Sequence, residues 1–375
     1  MILYMIITLA TVAVAFTVSR QTVNNICVTR RQLLNNISLA AIFAVLTAAC
    51  VLRTGVGNDY VNYIQNAHEI NVGGVTVTEP GYNLFVKILY TLCGSENYLW
   101  LFGIIGCATV YLYLKAIYDS SESFAMSFLL FMTLGIYFRS FNTVRYYFVL
   151  AITLYSLRYV VKKEYLKFIL LIVFAAFFHK SVLVVIPLYY ICNRKWNRYF
   201  YGIIGVGTAA AYLLRDYIMQ LALKLYPSYE NTIYLTEGVG LSESILSIGR
   251  CILILIMALI CYETIRDDKA NTLYFNMNIL AIALYIGGSF IPLISRFGYY
   301  LITAQIILIP GILAKLEGRK KKYMTIAVVV FAVLYFAYFL KVAYEPGISV
   351  LPYKSWLFDH VEWNNVEENL MYNNR

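Results

Sequence analysis

The sequence predicts an all-α polytopic membrane protein, and three observations predict it. Of 375 residues, 61% are hydrophobic and only 13% charged, where an ordinary soluble domain carries about 25% charged residues. The mean hydropathy is +0.68. The apolar residues form continuous runs of spanning or near-spanning length, which lipid permits only as helices. A membrane β-barrel would show alternating segments of about 10 residues instead.

The first run, 1–19, has no basic segment ahead of it, while Arg20, Arg30 and Arg31 follow it. It therefore reads as a retained helix with its N-terminus outside rather than a cleaved leader. The run 33–52 returns outward, and a polar stretch, 53–79, precedes the short apolar piece 81–93. As a full span, that piece would place Arg158, Lys162, Lys163 and Lys167 outside, against the positive-inside rule. As a re-entrant or interfacial helix near 80–93, it puts every later basic cluster inside.

The remaining spans are then expected at 98–115, 123–138, 144–161, 165–178, 182–192, 199–214, 243–262, 271–290, 297–315 and 323–341. That makes about twelve crossings with both termini outside. The expected organisation is one transmembrane domain, 1–341, with outer loops 53–79 and 215–242, and an outer tail, 342–375. The second loop includes an amphipathic stretch suited to the membrane interface. The tail reads as a lid or packing element, with Trp356, Phe358 and Trp363 able to dock it on the membrane rim.

This topology puts 18 of the 30 Lys and Arg residues on the inner side. The net charge of +10 is thus explained by orientation and contact with anionic membrane lipids, and no nucleic-acid partner is expected. The seven cysteines show neither a disulfide framework nor metal-ligand spacing. A phosphate-binding Walker loop, a GxSxG elbow and a dinucleotide fingerprint are also missing, which excludes the usual ATPases, hydrolases and Rossmann enzymes.

The informative residues are the charges at the ends of apolar runs: Arg53, Asp59, Glu79, Arg139, Arg145, His179, Lys180, Arg250 and Arg296. Such charges are costly near a bilayer and mark functional sites by default. Arg139 and Arg145 flank the turn between two spans; paired arginines suit a lipid pyrophosphate, and snorkelling to headgroups is the plainer alternative. Glu79 precedes ProGlyTyr at the start of the re-entrant helix, where a carboxylate could equally be a helix cap. Asp59 follows two glycines and could pair structurally with an arginine. His179 stands between two short spans, where a broken helix pair can expose a titratable ring.

Several of these residues fall in motifs: ArgThrGlyValGlyAsnAspTyr from Arg53, GluProGlyTyr from Glu79, ArgTyrTyrPheValLeuAlaIle from Arg145, PhePheHisLysSer around His179, and ArgPheGlyTyrTyr from Arg296. In this order, with IleProGlyIleLeu following, they resemble the EpsG family of Wzy-type exopolysaccharide and capsule polymerases over roughly residues 1–341. One departure is Tyr146, where the family pattern has glutamine after the arginine.

The resemblance implies a multi-helical fold like that of the lipid-linked-sugar (GT-C-like) glycosyltransferases. It further implies transfer of a growing glycan from undecaprenyl pyrophosphate to the non-reducing end of another lipid-linked repeat unit. That reaction takes place on the outer face of the bacterial cytoplasmic membrane, and a chain-length regulator is an expected partner. The leaving pyrophosphate would be met by Arg53, Arg139, Arg145, Arg250, Arg296 and Lys180, with Tyr60 and Tyr82 as substrate-binding aromatics. His179, Asp59 and Glu79 compete as general base, and no metal or cofactor is expected. Other classes remain open: a ligase moving finished glycan to a lipid or protein acceptor, a lipid flippase or transporter, and a membrane acyltransferase.

Overall fold

The computed structural model describes residues 1–19, 30–225, 241–261, 268–291 and 294–357. The expectations for Arg20, Phe358 and Trp363, and for 226–240 and 358–375 of the outer loop and tail, lie outside the described residues. Among the described residues the regular structure is helical. Helices α1 (Ile2–Ala15), α2 (Arg30–Val51), α3 (Tyr60–Val72), α4 (Pro80–Cys93), α5 (Tyr98–Ser120), α6 (Phe124–Thr133), α7 (Ile136–Arg139), α8 (Val144–Val161) and α9 (Tyr165–Ala176) come first. A 3-10 turn, Lys180–Val184, leads into α10 (Val185–Cys192), followed by α11 (Arg198–Leu213), α12 (Arg215–Leu225) and α13 (Leu241–Leu259). The chain continues through α14 (Lys269–Gly287), α15 (Ile294–Ile302), α16 (Gln305–Ala314) and α17 (Gly318–Val342).

Among the described residues, five segments are long and apolar enough to cross a membrane: Arg30–Val51, Tyr98–Ser120, Val144–Val161, Ile294–Ala314 and Gly318–Val342. Ile2–Ala15, Phe124–Thr133, Tyr165–Ala176, Lys180–Cys192 and Ile245–Leu259 are apolar but shorter. The expected spans at 199–214 and 271–290 form helices outside both groups. Length and composition therefore support five of the roughly twelve expected crossings. At 1.5 Å per residue the shorter helices fall well short of a core about 30 Å thick. The buried Asn271, Asn276 and Asn278 dilute the apolarity of α14.

Two expected elements differ in kind. The polar stretch 53–79 contains α3, whose buried Tyr60, Tyr63, Ile64, Ala67 and Ile70 follow helical spacing. The expected span 123–138 breaks at Gly135 into α6 and the single-turn α7. The helix expected near 80–93 forms as α4, burying Tyr82, Val86, Leu89 and Tyr90 and exposing Leu84, Ile88 and Leu92. Leu84, Ile88 and Leu92, at the spacing of one helix face, thus give α4 a second, exposed apolar face.

The chain divides into two compact units. The first comprises Met1–Tyr155, Leu170–Val182 and the segment from Glu317 onward. In it α2 packs on α5, α1 on α2 and α6, α3 on α4, and α17 on α6. Its aromatic core stacks Tyr4 on Phe138, and Phe138 on Phe336 and Phe339. The Tyr137 hydroxyl donates to the Leu46 carbonyl (2.6 Å).

The second unit comprises Ser156–Ile169 and Leu183–Leu316, with α14 as its central helix packed against α10, α11, α13, α15 and α16. Two of its buried amides are linked: Gln305 Nε2 donates to Asn278 Oδ1 (2.7 Å), and Asn278 Nδ2 to the Cys251 carbonyl (3.0 Å). Matching of this kind is what makes amides tolerable in an apolar interior.

Candidate active site

The motif residues of the first unit converge because two glycines let three segments touch. Gly57 takes φ +105, and a Cβ there would lie 2.6 Å from the Phe141 carbonyl oxygen. Only glycine fits both the backbone and the space, so the 53–59 loop seats directly on the α7–α8 turn. Gly81 meets the end of α9 in the same way: a Cβ would lie 2.5 Å from that of Phe177. The Tyr82 N–H then donates to the Phe177 carbonyl (3.2 Å). Pro80 at the first turn of α4 presets the helical φ. The GlyAsnAsp and GluProGlyTyr motifs are thus docking surfaces for the arginine turn and the histidine segment.

Glu79 and Arg145 form the centre. The Glu79 carboxylate pairs through Oε2 with Arg145 Nη1, and its Oε1 accepts the Lys180 N–H (3.2 Å). The side chains are 13% and 19% exposed, so the pair is shielded yet reachable. Glu79 is the N-cap residue of α4 but makes no side-chain cap bond, so its carboxylate serves the arginine and not the helix. The Arg145 guanidinium lies over the rings of Tyr82 (4.8 Å) and Tyr63 (5.6 Å). Its backbone N–H donates to the Tyr63 hydroxyl (3.2 Å). Burial pushes the phenols of Tyr63 and Tyr82 up, Arg145 pulling against it, so both remain neutral hydroxyls.

His179 lies beside this pair. Its Nδ1 shares a hydrogen bond with Ser181 Oγ (2.9 Å), and its ring meets Tyr146 edge-on at 5.4 Å. The residue where this chain departs from the expected glutamine is therefore a wall for the imidazole. Asp59, the N-cap residue of α3, is reached through Asn142, whose Oδ1 accepts the Asp59 N–H (2.9 Å). Arg139 closes α7 with its guanidinium 5.8 Å from the Phe339 ring.

Arg53 differs from the others. It is 1% exposed, with its guanidinium over Phe141 (4.7 Å) and Phe102 (5.3 Å), and its three side-chain nitrogens lack hydrogen-bond partners among the described residues. Each ring contact contributes about 0.5 to 2 kcal/mol, whereas desolvating a charge costs several. Tyr60 is also internal, 1% exposed and stacked on Phe102 at 4.7 Å. Tyr82 is buried as well, but against Arg145.

Segment 345–356 straps the 53–59 loop. The N–H groups of Gly57, Asn58 and Thr54 donate to the carbonyls of Ser349 (2.8 Å), Ile348 (3.2 Å) and Lys354 (3.1 Å). Asn142 Nδ2 donates to the Gly347 carbonyl (3.3 Å), so this one amide holds both Asp59 and the strap. Neither Tyr63 nor Asn142 stood out in the sequence as a site residue, although both lie at helical or adjacent spacing to charges that did.

Arg250 and Arg296 belong to the second unit. Arg250 is 6% exposed within α13, and Arg296 opens α15. Among the described residues no group of three or more His, Cys, Asp or Glu side chains is placed to hold a metal.

No curated protein and no solved structure matches the chain. The model of the EpsG family, whose members are Wzy-type polymerase-like, matches residues 36–355. The match runs past Lys341, where the sequence resemblance stopped, and takes in the strap almost to its end. With most of its length inside that match, the chain belongs to the EpsG family.

Proposed function

We propose that the protein polymerises lipid-linked oligosaccharide repeat units, with the reaction centred on Arg145. The carrying observation is the grouping of Arg145 with Glu79, His179, Tyr63 and Tyr82 in one partly shielded cluster. In such a transfer the acceptor hydroxyl oxygen bonds to the anomeric carbon of the donor glycan as the bond from that carbon to the pyrophosphate oxygen breaks. The negative charge that develops on the leaving pyrophosphate is the main target for stabilisation, and a held guanidinium supplies it through paired hydrogen bonds.

Glu79 holds Arg145 ready, while the aromatic faces of Tyr63 and Tyr82 keep the guanidinium in its plane. Arg53, buried and without an ion pair among the described residues, biases the local potential toward an anion. Arg139 and Lys180 are the further cations of the first unit for the rest of the pyrophosphate. His179 is the preferred base: with its Nδ1–H donated to Ser181 Oγ, Nε2 takes the proton of the acceptor hydroxyl. Asp59 is the second candidate. Glu79, committed through both oxygens, acts as an orienting residue.

The donor is undecaprenyl pyrophosphate-linked glycan, and the reaction takes place on the outer face of the cytoplasmic membrane. That orientation is supported within the second unit, where Asn193 Nδ2 donates to the Val160 carbonyl (2.8 Å) and the Tyr165 hydroxyl (3.0 Å). This ties the basic turn around Lys162 to the basic loop around Arg194. Lys315 likewise lies 3.7 Å from Asp268, joining two further basic loops. Shared ends for basic loops are what the positive-inside rule requires.

The test is reconstitution of the purified protein with a single lipid-linked repeat unit. A ladder of lipid-linked products supports polymerisation. Transfer only to a different lipid or a protein acceptor, without a ladder, replaces it with the ligase reading.

A further inference from the structure

Between α10 and α11 lies a cavity of about 430 Å³ lined by Tyr190, Arg194, Lys195, Trp196, Asn197 and Phe200. Its volume falls in the range of small-ligand sites, about 300 to 1,000 Å³. The lining combines two cations with three aromatic rings and holds no carboxylate. Among the described residues, neither Arg194 nor Lys195 forms an ion pair.

The loop is built rather than loose. Asn276 Nδ2 donates to the carbonyls of both Cys192 and Arg194 (2.9 Å each). Asn193 anchors it to the Val160 carbonyl, and Trp196 Nε1 donates to the Ile191 carbonyl (3.0 Å). Asn197 Oδ1 accepts the Phe200 N–H (2.9 Å), which caps α11. The Arg194 guanidinium lies over the Tyr190 ring at 4.6 Å and donates to its hydroxyl. Fixing a basic loop in this way removes the ordering cost of gripping an anion.

Beyond the cavity, α11 carries Tyr199, Ile203 and Val206, all exposed and at the spacing of one helix face. A cup walled mainly by apolar surface and carrying two cations, on the loop that leads into the helix with the apolar stripe, matches one ligand, a phosphate headgroup with an attached chain. We propose that this cavity binds an anionic glycerophospholipid, its phosphate held by Arg194 and Lys195 and an acyl chain lying along Tyr199, Ile203 and Val206. A zwitterionic lipid would bring a quaternary ammonium to a cup with no carboxylate to receive it. The site is independent of the polymerase reading.

Native mass spectrometry of the full-length protein in detergent tests this, with phosphatidylglycerol or phosphatidylcholine added. One phosphatidylglycerol should be retained well above phosphatidylcholine. Lys195→Gln, at an exposed side chain, should weaken it roughly fivefold, the effect of removing one cation near a lipid phosphate. Arg194→Gln with Lys195→Gln should bring it to the phosphatidylcholine level, and Arg194→Lys should preserve it. Lys320→Gln, on a different basic loop, should change nothing. Equal retention of both lipids, equal weakening by Lys320→Gln, or no effect of Lys195→Gln would overturn the proposal. Displacement by millimolar inorganic phosphate would make the cup a free-anion site, and displacement by lipid-linked glycan would make it part of the substrate path; either also overturns it.

Discussion

Glu79 and Arg145, 66 residues apart in sequence, are ion-paired at the point where the start of α4 meets the start of α8. The pair orients a planar guanidinium that lysine cannot imitate. Arg145→Lys should therefore lose about 1.5 to 3 kcal/mol of transition-state stabilisation, roughly ten- to 150-fold in polymerisation rate. The protein should still accumulate in the membrane. Glu79→Gln should fall by less, and the double variant by little more than Arg145→Lys alone, since both act through one guanidinium. Additive losses in a purified assay would separate the two residues.

Arg53 makes the opposite prediction for stability. Its charge is buried without a hydrogen-bond partner, and replacing buried ions by apolar groups of similar volume is often neutral or stabilising by about 1 to 4 kcal/mol. Arg53→Met should hold or raise the melting temperature in detergent while lowering polymer yield. A large drop in melting temperature would show that its contacts with Phe102 and Phe141 hold the fold.

If His179 is the base, the wild-type rate must fall as pH drops through the imidazole pKa, because the protonated ring cannot accept the hydroxyl proton. His179→Gln should abolish most activity and flatten that acid limb. Ser181→Ala should keep the limb at a reduced rate. An unchanged limb in the His179 variant would transfer the role to Asp59.

Asn142 links the strap to the 53–59 loop. Asn142→Asp retains an acceptor for the Asp59 N–H but turns the group facing the Gly347 carbonyl into an acceptor, with an expected cost of about 1 to 3 kcal/mol. A chain ending at Leu357 keeps every strap contact described and should stay active. One ending at Tyr344 loses the Ser349, Ile348 and Lys354 carbonyls and should be inactive. Activity in the shorter chain would reduce the strap to packing.

Orientation is measurable by labelling in a background without native cysteines. Val75→Cys, in the fully exposed turn before Glu79, should react with an impermeant reagent from outside. Lys162→Cys should react only after permeabilisation. The reverse pattern would place the Arg145 cluster on the wrong side for an exported lipid-linked substrate.

Much of this was legible in the sequence, for physical reasons. Charges are so expensive beside lipid that Glu79, Arg145 and His179 identified themselves by position alone. The partnership of Glu79 with Arg145 was not legible, because it depends on where Gly81 lets α4 touch the end of α9. Asn142 was hidden for a related reason: an uncharged amide in a turn carries no signal until its two partners, far apart in the chain, are in place. The helical content of 60–72 was present as spacing, but the polar residues between the buried tyrosines masked it. Helix length was less legible, since an apolar run carries no mark of where a turn at Gly135 or a 3-10 segment at Lys180–Val184 interrupts it.

The strap also sets the order in which the protein can become competent. The Tyr353 hydroxyl reaches the Ala49 carbonyl across 304 residues of sequence, and the 53–59 loop and Asn142 are strapped by the same late-made segment. Synthesis delivers α2 and the 53–59 loop well before Ser349, and contacts this distant in sequence are slow to form. A ribosome-bound chain that has inserted most of its helices therefore still has a 53–59 loop held by the Asn142 turn but without the strap's carbonyls. Competence arrives as a late step of biogenesis, and a stalled or proteolytically shortened chain should sit in the membrane, largely folded, without consuming lipid-linked sugar.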